Sequence, residues 1–170
     1  MQATKDSFFC ALQARLALVN PQRTIVTDGI AKPAVMVVEN EPFPPAKLFF
    51  NTFYIHWLGA PSVHSFARTR SPRYEHLAQV EYFVRGGPTL ERPFADRGRL
   101  IGQLDQELIE ILYPGFTEKL DYTFTPAKSL SSVLLWRWTP DLRTIADSEG
   151  SVLRRIATVS VSSYLEALVN

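Results

Sequence analysis

Most of the ingredients of a chemical site are scarce in this sequence. Cysteine occurs once, at Cys10, so no internal disulfide framework can form, and a reducing compartment is expected. Histidine occurs three times, at His56, His64 and His76, never at the HxxxH or HExxH spacing that sets two metal ligands on one helix face. Glycine is sparse. Its one pair, in Arg85-Gly86-Gly87-Pro88, has neither the spacing of a phosphate loop nor a helix directly after it to receive an anion. Neither sign of charge dominates: 18 basic and 17 acidic residues leave a net +1, which gives no global field toward nucleic acid or an anionic membrane. No run of about 20 uncharged apolar residues occurs, which excludes a spanning helix. The apolar stretch after Lys5, FFCALQARLALV, is interrupted by Gln13 and Arg15 and lacks a clean small-residue cleavage site. It reads as a helix rather than a signal peptide, and a cytosolic protein is expected.

What is present is ordinary globular material: 46% hydrophobic and 21% charged in 170 residues, enough for one domain with a substantial core. Thr4 or Asp6 can cap a first helix carrying Phe8, Phe9, Leu12 and Leu16, ended by Asn20-Pro21. TIVT (24–27) reads as a strand stopped by Asp28-Gly29, with AVMVVE (34–39) as its antiparallel partner. Three prolines in EPFPPAK (41–47) exclude regular structure there. KLFFNTFYIHWL (47–58) reads as a strand, or two short ones, apolar on both faces, and residues 59–73 as a basic loop. HLAQVEYFV (76–84) alternates, with Ala78, Val80, Tyr82 and Val84 on one face and Gln79 and Glu81 on the other.

Asp96 is placed as the N-cap of a long helix. Its stripe is Leu100, Leu104, Leu108 and Ile111, widened by Ile101 and Leu112, and it stops at Tyr113-Pro114-Gly115. LDYTF (120–124), SVLLWRW (132–138) and a final alternating strand follow, with DSEGS (147–151) turning into the last. In that last strand Ala157, Val159 and Val161 alternate with Thr158, Ser160 and Ser162, the mark of one buried and one solvated face. The expected class is α+β: a mostly antiparallel sheet with two helices packed on one face. A single domain over residues 1–170 carries an aromatic and basic insertion at about 42–73.

Candidate chemistry reduces to bland roles on this reading. His56 is expected half-buried and His64 and His76 on the surface. Cys10, beside Phe9, suits a small buried hydrophobe, although a place near a helix N-terminus would lower its pKa. Asp105, Glu107 and Glu110 belong to the charged face of a surface helix. No metal, cofactor or catalytic group is assigned, and the protein is read as not an enzyme. Two concentrations of residues remain. Phe43, Phe49, Phe50, Phe53, Tyr54 and Trp57 fall close together, next to Arg68, Arg70 and Arg73 with His64 and Phe66 nearby. Aromatics with arginine are the enriched residues of protein interfaces. The candidate interface is therefore Phe50, Tyr54, Trp57, Arg68, Arg70, Arg73, Thr158, Ser160 and Ser162. The arginines could instead grip phosphates of a nucleic acid, and the 49–57 aromatics could line a ligand or enzyme pocket, with His56 and His64 as its polar groups.

The order of elements resembles the tail terminator, or tail completion, proteins of long-tailed bacteriophages and the related small minor tail proteins. The residues that carry the resemblance are Pro33-Ala34-Val35-Met36-Val37 opening a strand, HLAQVEYFVRGG leading to the helix ADRGRLIGQLDQELIEIL, and the closing RRIATVSVSSYLE. Residues 42–73 are longer than that family's usual strand connection. The resemblance implies a homo-oligomer, a six-membered ring that caps the tail tube and meets the head connector. It implies no catalytic residues, and assembly in the host cytoplasm before incorporation into the virion tail.

Overall fold

The computed structural model describes residues 2–38, 48–64, 72–86, 93–113, 120–126, 135–138, 143–146 and 152–164. Helix α1 spans Gln2–Val19, followed by β1 (Thr24–Thr27), β2 (Ile30–Pro33), β3 (Val35–Val38), β4 (Phe53–His64) and β5 (Arg73–Arg85). Helix α2 spans Pro93–Leu112, and β6 (Leu135–Trp138), β7 (Arg143–Ala146) and β8 (Val152–Tyr164) complete the order.

The main sheet has the order β3-β4-β5-β8-β6, with β7 also paired to β8. Its spine is the antiparallel β5–β8 pair, in register from Arg73↔Tyr164 to Arg85↔Val152. Every pairing is antiparallel except β3–β4. Alternation then sorts the side chains onto two faces. Val35, Phe53, Ile55, Ala78, Val80, Tyr82, Val84, Ala157, Val159 and Val161 meet Phe8, Leu12 and Leu16 of α1 and Ile101, Leu104, Leu108, Ile111 and Leu112 of α2 in one buried core. Both helices therefore lie on one face, and the fold is α+β as the periodicity predicts. Full burial of leucines such as Leu12, Leu104 and Leu108 contributes roughly 1.5–3 kcal/mol each.

Polar ties hold the layers in register. The Tyr82 hydroxyl donates to Asp105 Oδ1 (2.5 Å), and Arg155 Nε lies 3.1 Å from the same oxygen. Arg23 meets Glu107 through Nε (2.8 Å) and Nη2 (2.7 Å), and the Asn20 side-chain amide donates to Glu107 Oε1 at 2.7 Å.

Several sequence expectations are corrected. Residues 24–27 do not pair with 34–39. They pair with β2, from Thr27↔Ile30 outward, in a separate two-stranded hairpin. Asp28 and Gly29 have φ of 52° and 76°, the left-handed pair that a two-residue hairpin turn requires. Strand β3 instead joins β4 in parallel. Residues 48–52 precede β4 rather than belonging to it, and β4 continues through Gly59–His64, assigned to a loop from the sequence. A register irregularity between Leu58 and Ser62 absorbs Gly59 and Pro61.

Residues 121–126 are a single bridge followed by turns, not a strand; the Asp121 side chain accepts from Thr123 N–H and from its hydroxyl, a local turn that competes with the ladder. Strand β7 was not anticipated. Neither helix starts where the caps were placed: Thr4 and Asp6 lie inside α1, and Asp96 lies in the first turn of α2 behind Pro93. The 42–47 prolines, Phe43 and the 147–151 turn lie outside the described residues.

Candidate interaction surface

The sheet face turned away from the helices has three zones. One end is capped. Leu48, Phe49 and Phe50 pack on Val38, Tyr54 and Phe83, and Asn51, at φ 58°, bonds its N–H to Phe83 C=O (2.8 Å). The Tyr54 hydroxyl accepts from Phe49 N–H at 2.6 Å and donates to Phe49 C=O at 3.1 Å. Burial pushes its pKa up, opposed by that backbone bond. The Arg85 guanidinium lies 5.9 Å from the Phe50 ring centre, and that of Arg154 5.9 Å from Phe83. Glu81, only 3% exposed, is held by Arg154 Nη2 at 2.7 Å.

The middle zone is open. Leu58 stands opposite Leu77, and Leu77 opposite Ser160; beside them run His56, Gln79 and Thr158. Leu58 and Leu77 are 40% and 45% exposed. Burial, with Arg154 adding to it and Glu81 opposing, pushes the His56 pKa down.

The third zone is polar and centres on Glu75. Ser160 donates to Glu75 Oε1, Ser162 stands opposite Glu75 in the ladder, His64 Nε2 is 3.2 Å from Glu75 Oε2, and Arg73 Nη2 is 3.8 Å away. Ser62 Oγ also lies 3.2 Å from His64 Nε2. Serine, histidine and carboxylate thus meet, but on one ring nitrogen. A nucleophile relay needs the base between the two partners, with one nitrogen for each. This is a polar cluster on an open sheet face, and it has no relay geometry.

The structure therefore divides the sequence-predicted interface. Thr158, Ser160, Ser162 and Arg73 share the open face with Phe50 at its capped end. Tyr54 lies on that face but is fully buried and bonded, so it is a packing residue. Trp57 is on the opposite face, edge-on to Phe8 (5.6 Å) and to His76 (5.9 Å), with Lys5 Nζ 5.6 Å above its ring. Arg68 and Arg70 lie outside the described residues. The aromatics of 49–57 pack into clusters on both faces instead of lining one pocket. His76, expected on the surface, is 3% exposed on the helix-covered side of the sheet, beside Trp57. Its pKa is pushed down by burial, then by Lys5 and the N-terminal amine. The Cys10 thiol is half-buried, its pKa raised by burial, Asp6 and Asp121, the opposite of an activated nucleophile. The Leu58–Leu77 pair was missed, although Leu77 stands in the same period-2 row as Gln79 and Glu81 and Leu58 in that of Tyr54 and His56.

A concavity lies at the sheet edge. It is an open cleft of about 520 Å³ between one stripe of α1 (Gln2, Asp6, Phe9, Gln13), the hairpin (Ile25, Thr27, Lys32) and β3 (Val35, Met36, Val37). Among the described residues no group of His, Cys, Asp and Glu could hold a metal ion.

These features define a class by architecture: a one-sided α+β layer with an open sheet face and an open sheet edge. Comparison with protein-family models gives no match, and no curated protein matches the chain.

Proposed function

We propose that the chain is a structural assembly subunit of the tail terminator type, whose copies form a ring that caps a tail tube and presents a surface to the head connector. The observation that carries this reading is the open sheet face. Both helices cover one side, while the middle of the other offers Leu58 and Leu77 framed by Thr158, Ser160 and Ser162. An exposed apolar pair inside a rim of hydrogen-bonded polar groups has the make-up of a protein-contact surface. Contacts that close by rotation make a ring without any catalytic group. Assembly in the host cytoplasm and residence in the virion tail follow from this reading; no helix among the described residues is long and apolar enough to cross a membrane.

The two alternatives have less support. A ligand pocket or enzyme site around 49–57 needs those aromatics to converge, and they divide between faces. A nucleic-acid module needs the arginines of 68–73 to be available, and Arg73 is turned to Glu75.

The test is solution mass by light scattering over a concentration series, with negative-stain imaging of the large species. A closed ring with a central hole is the expected result. A monomer throughout the series overturns the reading, and steeply salt-dependent binding of DNA fragments by that monomer would favour the nucleic-acid module.

A further inference from the structure

We infer that copies of this chain join edge to edge, the outer edge of β3 in one copy pairing with β7 of the next; this rests on the assembly reading above. Strand β3 uses only one of its edges among the described residues. The Ala34 C=O accepts from Phe53 N–H at 2.9 Å, while its N–H donates to Arg23 C=O at 2.9 Å; by alternation Met36 and Val38 direct their backbone groups toward β4. Val35 and Val37 direct theirs away from it, into the cleft. The Gln13 side-chain amide reaches Val35 C=O at 3.4 Å, a long contact that a ladder bond of about 2.9 Å would replace. Natural edges are blunted by charge, proline or a bulge. This one reads Val35-Met36-Val37-Val38; its shortness is another such device, but it carries no charge, proline or bulge.

The occupant follows from the sheet itself. Its other side is formed by β6 and β7, each of four residues and each paired to β8. Following the pairings, β3 is parallel to β4, and each of the steps β4–β5, β5–β8 and β8–β7 is antiparallel. Strand β7 therefore runs opposite to β3. Two copies set side by side with their helices on the same face meet as an antiparallel pair, the stronger ladder.

The levels also agree. Met36 pairs with Tyr54, Tyr54 with Glu81, Glu81 with Ile156 and Ile156 with Arg143. With β3 and β7 at one height, the next copy needs little axial slip. That favours a closed ring over a climbing filament.

The test uses the full chain. Val37→Pro removes an outward N–H while leaving the pairing of Met36 and Val38 to β4, the substitution an edge strand tolerates. Light scattering should show the wild-type ring and a Val37→Pro chain that needs at least tenfold higher concentration to assemble. Hydrogen exchange on the wild type supplies a readout independent of that variant's folding. The amides of Val35 and Val37, and those of 143–146 that point away from β8, should be protected in the ring and exchange on dilution to monomer. Rings formed with those amides unprotected, or formed equally well by folded Val37→Pro, overturn the edge pairing and leave the assembly reading standing. A two-copy species protected at β3 but not at 143–146 replaces β7 by a second β3 and also overturns it. A wild type monomeric at every concentration removes both.

Discussion

At the scale of single residues, the open face is tuned by hydrogen bonds more than by net charge. Glu75 is held below the usual carboxylate range first by the Ser160 hydroxyl, with Arg73 and His64 adding to it and partial burial opposing. Ser160→Ala removes the leading cause, so the Glu75 pKa should rise toward its ordinary value, read by NMR titration of the carboxyl. An unchanged titration would show that Arg73 and His64 suffice. A carboxylate whose pKa is lowered by folding contributes stability above its unfolded pKa and loses it as pH falls through the folded one. The Ser160→Ala chain should therefore lose less stability on acidification.

His76 acts from the other side of the sheet with the same outcome on acidification. Its pKa is pushed below the ordinary value by burial, Lys5 and the N-terminal amine. The unfolded chain then takes up a proton from about pH 6.5 downward while the folded chain takes it up only at lower pH, so stability falls as pH drops below that point. The urea midpoint of His76→Leu should vary less between pH 7 and pH 5 than that of the wild type. Some slope will persist, because His56 is shifted in the same direction. Equal slopes would place the acid sensitivity elsewhere.

At the scale of elements, what could be read from the sequence was what strict periodicity encodes. The stripe Leu104, Leu108, Ile111 and the alternation Ala78, Val80, Tyr82, Val84 are long enough for each residue's neighbours to agree on its face, and all are buried. The placement of Ala157, Val159 and Val161 against the helices follows in the same way. Short elements carry no such redundancy. Val35–Val38 is apolar throughout, so nothing in it distinguishes an antiparallel partner at 24–27 from a parallel one at 53–56. The Gly59–His64 end of β4 looked like a loop because glycine and proline are local signals, whereas its pairing with 73–75 is tertiary. His76 looked polar in isolation, and tertiary packing, edge-on to Trp57, buries it.

Besides apolar packing and the Arg15 bonds to Ile111 and Tyr113 C=O, a cross-tie seats α1 on α2. Arg23 leads into the hairpin, Asn20 ends α1, and Glu107 on α2 binds both, with the Arg23 and Glu107 side chains only 14% and 12% exposed. Removing one partner of such a pair leaves the other buried without compensation. Glu107→Ala should cost about 2–3 kcal/mol in chemical denaturation, on the scale of a broken part-buried pair. It should also raise exchange at the β1–β2 amides before those of β5 and β8. A loss below about 0.5 kcal/mol, the range of plain surface changes, would show that the hairpin is held by Ile25 and its apolar neighbours alone.

At the scale of the whole molecule, the face and the edge are separate surfaces with separate consequences. The face carries Leu58 and Leu77 away from the helices; the edge carries Val35 and Val37 into the cleft between α1 and the hairpin. If copies meet through the edges, a charge on the face should not disturb ring closure. Leu77 is 45% exposed, so Leu77→Lys should alter folding stability by no more than about 0.5 kcal/mol. Its ring should have the mass of the wild type, in contrast to the dissociation expected of Val37→Pro. In a ring closed by edge pairing with the strands along its axis, this face would look radially and stay uncovered by neighbouring copies. Dissociation by Leu77→Lys with folding stability intact would move the contact between copies onto the open face. The two substitutions, read together by light scattering and thermal melting, thus distinguish the edge from the face as the surface on which copies would meet in the proposed assembly.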